Sequence, residues 1–448
     1  MLRRKAPPSP CAWGCHLQSI VTRQALWTIA ALLGVSVRAL AIEPGIADYK
    51  HMGVASCATS VCHGKLAPQS DKDVALNEYR IWQQEDRHAQ AFRTLELPES
   101  KRIATNLGLP NATAAKICLD CHADNVPSEK RGPKFQISDG VGCEACHGGS
   151  EKWLESHATE TATHKDNVAR GMYPTEQPLK RVQVCLGCHL GTKDQFATHA
   201  IMGAGHPRLS FELEAYTTNQ PAHFIVDADY DQRKGRISGM NLWVTGQIET
   251  TRRYLSLLQT NMFHAGDMFP ELAFYDCHSC HHPMDKIRWN SARAGAGIKP
   301  GTVRLQTQNL IVLQALTDAF EPAATAQLAE LTNALIRAGQ RDRAAVNEAA
   351  KALLNWLGPR DALARRQYSS ADVIKMRKTL ARYAASDKAG DYAAAEQIVL
   401  GLESLSYTIG DRNSKKAALD ALYNAVKNDT TFSPQQFATA AANAQKSF

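Results

Sequence analysis

Ten of the twelve cysteines fall between Cys57 and Cys280 in five close pairs, and a histidine follows each pair at once. Four pairs read C-x-x-C-H: Cys118, Cys121 and His122; Cys143, Cys146 and His147; Cys185, Cys188 and His189; Cys277, Cys280 and His281. The first, Cys57, Cys62 and His63, has four residues between its thiols, a rarer spacing whose longer loop must bulge while presenting both sulfurs. Two thiols so placed add across the two vinyl groups of one haem, and the adjacent histidine reaches the iron from one side. Zinc, a disulfide or thiol redox chemistry would use the same cysteine spacing. None of them requires a histidine after every pair, so the pattern predicts five covalently bound haems c. CAWGCH, with Cys11 and Cys15, imitates such a site but precedes an apolar export segment and is discounted.

The proximal ligands on this reading are His63, His122, His147, His189 and His281. Ten further histidines follow residue 41, namely His51, His88, His157, His164, His199, His206, His223, His264, His278 and His282, and none lies in the last 166 residues. An iron between two histidines is closed and suits electron transfer, whereas an empty distal face binds small molecules. Confinement of the spare histidines to the haem region predicts distal ligation. The candidates are His88, His157, His206 and His264, with His199 and His51 behind them. His278 lies inside an attachment loop and His282 adjoins a proximal ligand, so both are poorly placed for their own haem. Spacing alone does not pair ligand with iron.

These residues need elements to hold them. Residues 74–95 read as a helix carrying His88, and 237–263 as a longer one, with Val244, Ile248, Leu255, Leu258 and Met262 on one face. His206-Pro207 falls outside any helix. After Pro283 the chain has neither cysteine nor histidine but Ala-rich amphipathic segments at 302–320, 323–338, 343–357, 370–386, 391–408, 414–428 and 433–447. Gly358-Pro359 stops one of these and Ser433-Pro434 starts another. The expected fold is mainly α. Short helices and long loops around haems occupy 42–285, and an α-helical bundle or extension occupies 286–448.

Residues 1–41 read as an export signal, with a basic start, an apolar run at 25–37 and a small-residue cleavage site near Ala41. The expected location is the periplasm. Removing that segment, with its five basic and no acidic residues, lowers the formal net charge from +7 to +2. Two propionates on each haem make the loaded protein acidic, so nucleic acid is not an expected partner.

The order of motifs resembles the cytochrome c-554 family, which shares its haem arrangement with hydroxylamine oxidoreductase and pentahaem nitrite reductase. The resemblance rests on a first haem site, then IWQQEDRHAQAF with Trp82 and His88, then CLDCHAD, GVGCEACHG with the downstream His157, and CLGCHLG, across residues 57–195. The first-site spacing, the fifth site, the His199–His206 stretch and the helical tail depart from it, and there is no C-x-x-C-K. The resemblance implies that the second haem lacks a distal ligand, which makes the iron at His122 the candidate open site. The leading functional expectation is electron transfer between redox partners rather than catalysis. The alternatives are an oxidoreductase acting on a small nitrogen or sulfur compound at one open haem, and a haem-bearing scaffold whose tail docks a membrane respiratory complex.

Overall fold

The computed structural model describes residues 49–66, 75–159, 161–261, 263, 270–282, 298–299 and 301–448. The expected export signal and His264 lie outside the described residues. The pattern at 237–263 becomes the helix Gly239–Leu258, started by Ser238, whose hydroxyl accepts from the Asn241 amide at 3.1 Å. This helix is buried on nearly every side. Leu242 joins Val182, Leu186, Phe211 and Leu213 beside the Pro178–His189 helix, which ends in the fourth attachment site. Met240, Trp243, Val244, Leu255 and Leu258 enter a larger core with the helices after residue 305. Gly246 permits a close approach, since a Cβ there would lie 2.7 Å from the Leu213 Cβ.

The seven amphipathic segments become the helices Gln308–Phe320, Pro322–Ala338, Arg343–Leu357, Ser370–Ala384, Tyr392–Ile409, Lys416–Val426 and Pro434–Ala444. Their starts are capped as the sequence implies. Asp342 and Asp391 each accept a first-turn amide at 2.7 Å, Ser369 and Asp372 form a capping box, and Ser433 precedes Pro434. Such caps contribute about 0.5–2 kcal/mol each. The boundary expected at 285/286 does not separate two cores: Phe263, Phe274 and Tyr275 pack with residues from Leu305 to Phe448. The described residues form one compact unit.

The region of the attachment motifs is built from short helices and turns, and among the described residues the only β pairings are the isolated bridges His51↔Arg131 and Tyr275↔Leu305. The helix expected over 74–95 is broken. Glu78–Glu85 ends at Asp86, which takes an extended conformation and starts a new turn by accepting from the His88 amide at 2.9 Å. Among the described residues no helix is long and apolar enough to cross a membrane.

A buried carboxylate pair links the two parts. Glu212 accepts from the Glu214 and Ala215 amides at 3.0 and 2.8 Å and from the Ser404 hydroxyl at 2.8 Å. Burial, then the charge of Glu212, pushes the Glu214 carboxyl from 4.5 up to about 8. The folded chain therefore keeps a proton that the unfolded chain releases, and Glu214 makes stability fall as pH rises from about 4.5 to about 8. Glu214→Gln should raise the melting temperature relative to wild type at pH 8 and leave it little changed at pH 4.5. Equal effects at the two pH values would refute the assignment.

Candidate functional site

Every proximal histidine has a second imidazole opposite it. Ring centres are 6.0 Å apart for His63 and His157, 6.2 Å for His189 and His88, 6.3 Å for His122 and His206, 6.4 Å for His147 and His223, and 6.2 Å for His281 and His199. An imidazole nitrogen binds a first-row metal at about 2.0–2.1 Å and lies about 1.1 Å from its ring centre, so two rings on one iron stand about 6.3 Å apart. The five pairs fit a haem, whose porphyrin asks for only two ligands from the protein. Among the described residues no three His, Cys, Asp or Glu side chains converge as a metal cluster.

Of the candidate distal ligands, His88, His157, His199 and His206 each stand in a pair. His223 does too, and sequence reasoning did not single it out, since it follows a helix in a Pro-containing loop with no spacing rule to mark it. The face of His122 expected to be open holds the His206 ring. The added segment folds over this site: Asn106 Nδ2 donates to the Ala204 carbonyl at 2.9 Å, and Gly205 adopts φ +120° just before His206. Three other histidines are held elsewhere. His51 is fully buried with Nδ1 on Asp124 Oδ2 at 2.7 Å, and His164 Nε2 lies 3.0 Å from Glu176. His278 lies against Tyr392 and Phe432.

The paired rings are oriented from behind. Nδ1 of His63 donates to Glu78 at 2.9 Å, that of His88 to Asp86 at 2.9 Å, that of His122 to the Ala91 carbonyl at 3.0 Å, that of His157 to the Leu154 carbonyl at 2.6 Å and that of His206 to the Pro207 carbonyl at 2.7 Å. Each such bond fixes the tautomer that leaves Nε2 free to ligate. Burial pushes His147 and His189 down to about 4, which keeps both rings in the neutral, ligating form near pH 7. Burial would raise the Asp86 carboxyl, but hydrogen bonds from His88 and Gln220 bring it down to about 2.

The attachment loops lie against one another. Cys57 and Cys143, from the first and third sites, are in hydrogen-bond contact. Gln195 Nε2 reaches Cys121 and Cys188, from the second and fourth sites, at 3.3 and 3.2 Å. Cys146 and Cys185 interact across the third and fourth sites. The third loop is shaped by its glycines. Gly140 and Gly148 both have φ +76°, and a Cβ on Gly149 would meet the Tyr49 carbonyl oxygen at 2.6 Å. At the fifth site, an open pocket runs from Cys277 past Met202, Phe196 and Arg208 to His189 and Gln397. The C-terminal helices therefore wall the space beside the fifth pair. Arg208 pairs with Glu396 at 2.7 Å, and Asp276, next to Cys277, lies 3.4 Å from Arg304.

The sequence model of the cytochrome c554 and c-prime family matches residues 56–148, the stretch holding the first three attachment sites. No curated protein and no solved structure matches the chain.

Proposed function

We propose that this chain, whose residues 56–148 match the cytochrome c554 and c-prime family, is a c-type cytochrome that is exported to the periplasm and carries five covalent haems. On this reading each haem lies between the two histidines of one facing pair, and the protein passes single electrons between redox partners. The observation that carries the reading is the recurrence of one ring separation, 6.0–6.4 Å, at all five attachment sites. When bound, a haem supplies a one-electron ferric/ferrous couple.

The chain's own residues do the rest. The two imidazoles at each site would be the protein's ligands to the haem, so neither redox state would need to gain or lose a ligand. Carbonyl and carboxylate acceptors on Nδ1 hold the rings through the redox change. The Cys143, Cys146, Cys185 and Cys188 side chains are half-buried, which limits the water that reaches them. The contacts between thiols of different sites set the first beside the third, the third beside the fourth and the fourth beside the second, a contiguous series suited to single-electron movement. His206 closes the site at His122, which removes the open iron that a small-molecule oxidoreductase needs.

Electron paramagnetic resonance of the oxidised protein, with a covalent haem count by mass, tests this. The expected result is five haems, all low-spin, unresponsive to cyanide and nitric oxide. A stoichiometric high-spin haem that turns over hydroxylamine or nitrite would sink the carrier reading. His206→Gly should convert one haem in five to a high-spin, nitric-oxide-binding form while leaving the covalent count at five. If H206G stays entirely low-spin, His206 is not that ligand.

A further inference from the structure

The geometry points to Asp86 and Glu78 as the residues that set the low end of this protein's reduction potentials, acting through His88 and His63; the inference rests on the bis-histidine reading above. Five paired rings have a defined Nδ1 acceptor, and the acceptors are of two kinds. His88 and His63 donate to carboxylates, Asp86 and Glu78, both at 2.9 Å. His122, His157 and His206 donate to backbone carbonyls at 3.0, 2.6 and 2.7 Å. A carboxylate draws the Nδ1 proton further from the ring than a neutral carbonyl does. The ring gains imidazolate character, donates more strongly through Nε2, and favours the ferric over the ferrous iron.

The two carboxylates differ in reach. Asp86 is 4% exposed, so water screens its charge little. Its second oxygen accepts from Gln220 Nε2 at 2.9 Å, three residues before His223. One buried charge thus bears directly on the His88–His189 pair and sits close to the His147–His223 pair. The Glu78 side chain is 27% exposed, so its effect on the His63–His157 pair is the weaker. The His122–His206 pair has a neutral carbonyl behind both rings. The order that follows puts the haem at Cys185 and Cys188 lowest, the haem at Cys57 and Cys62 above it, and the haem at Cys118 and Cys121 higher than both. Each iron takes up one electron, from a neighbouring haem in the protein or from the electrode in a titration. Ferric becomes ferrous, and no ligand bond forms or breaks. An electron entering at the fourth site therefore runs downhill to the second.

The test is a spectroelectrochemical titration of the full-length five-haem protein, with Asp86→Asn and Glu78→Gln beside wild type. In D86N one midpoint should rise by about a tenfold change in its one-electron equilibrium, about 59 mV. The covalent count should stay at five and the spectrum low-spin. E78Q should raise a different midpoint, by less. A role in positioning alone would change assembly or ring orientation but leave the midpoints in place. Unmoved midpoints in low-spin, five-haem variants overturn the proposal and leave the carrier reading standing. A wild-type protein with high-spin iron at these two sites overturns both. Where D86N fails to assemble, E78Q, on the more exposed carboxylate, decides by the same criterion.

Discussion

Deletion of residues 298–448 is expected to abolish the fifth haem site and to leave a protein that aggregates. The reason is the helix Gly239–Leu258, which lies on the N-terminal side of the cut but has most of its partners on the other. Trp243, Leu255, Leu258, Phe263, Phe274 and Tyr275 are all buried in the core that the later helices complete. Exposing six such side chains at about 1.5–3 kcal/mol each is comparable to the roughly 5–15 kcal/mol by which a whole domain is normally stable. The fifth site loses its walls as well. His278, inside the attachment loop, rests on Tyr392 and Phe432, Asp276 loses Arg304, and Arg208 loses Glu396. A covalent haem count by mass and size-exclusion chromatography check the outcome. A soluble, monomeric truncation with five haems and an unchanged spectrum would instead make the helical region a separable module, as a docking scaffold requires.

Cys118 and His122 could be read from the sequence because haem attachment is local: two thiols and a ligand must fit within five to seven residues. The helical tail was legible for a similar reason, since punctuation such as Gly358-Pro359 and Ser433-Pro434 and the apolar stripes lie within one or two turns. Distal pairing is different in kind. A ring needs only to arrive opposite a proximal histidine, and His88 meets His189 across a hundred residues of chain with no spacing to announce it. His206 and His199 were legible because the segment around them is Gly-rich and proline-stopped. His223 lacked even that signal. The broken helix at Asp86 was missed because its cause is tertiary: the side chain that ends the helix also holds His88 and Gln220. Periodicity over 237–263 found the right helix, but it did not say that two opposite faces would both be buried.

Glu144→Ala should destabilise the protein by at least about 3 kcal/mol and deplete haem at the first and third sites together. Glu144 lies between the two thiols of the third site and is 3% exposed. Its carboxylate accepts three backbone amides, those of Met52, Gly53 and Ser150, each at 2.7 Å. Removing it leaves three donors without an acceptor, at about 1–3 kcal/mol for each that remains buried. The consequences spread because those amides belong to different segments. Met52 and Gly53 follow His51, which bridges to Arg131 and holds Asp124, and they lead directly into Cys57. Ser150 follows the Gly148-Gly149 turn that closes the third attachment loop. One side chain thus keeps Cys57 against Cys143. Glu144→Gln should weaken the same place less, because one oxygen remains to accept while the new amide group faces a backbone N–H. Urea unfolding at neutral pH measures the loss, with Glu151→Ala as control. Glu151 is exposed and makes only a 3.4 Å contact with the Lys50 amide, so its removal should change stability by no more than about 0.5 kcal/mol. If E144A unfolds within 1 kcal/mol of wild type and retains both haems, the two attachment loops are held together by something other than this carboxylate.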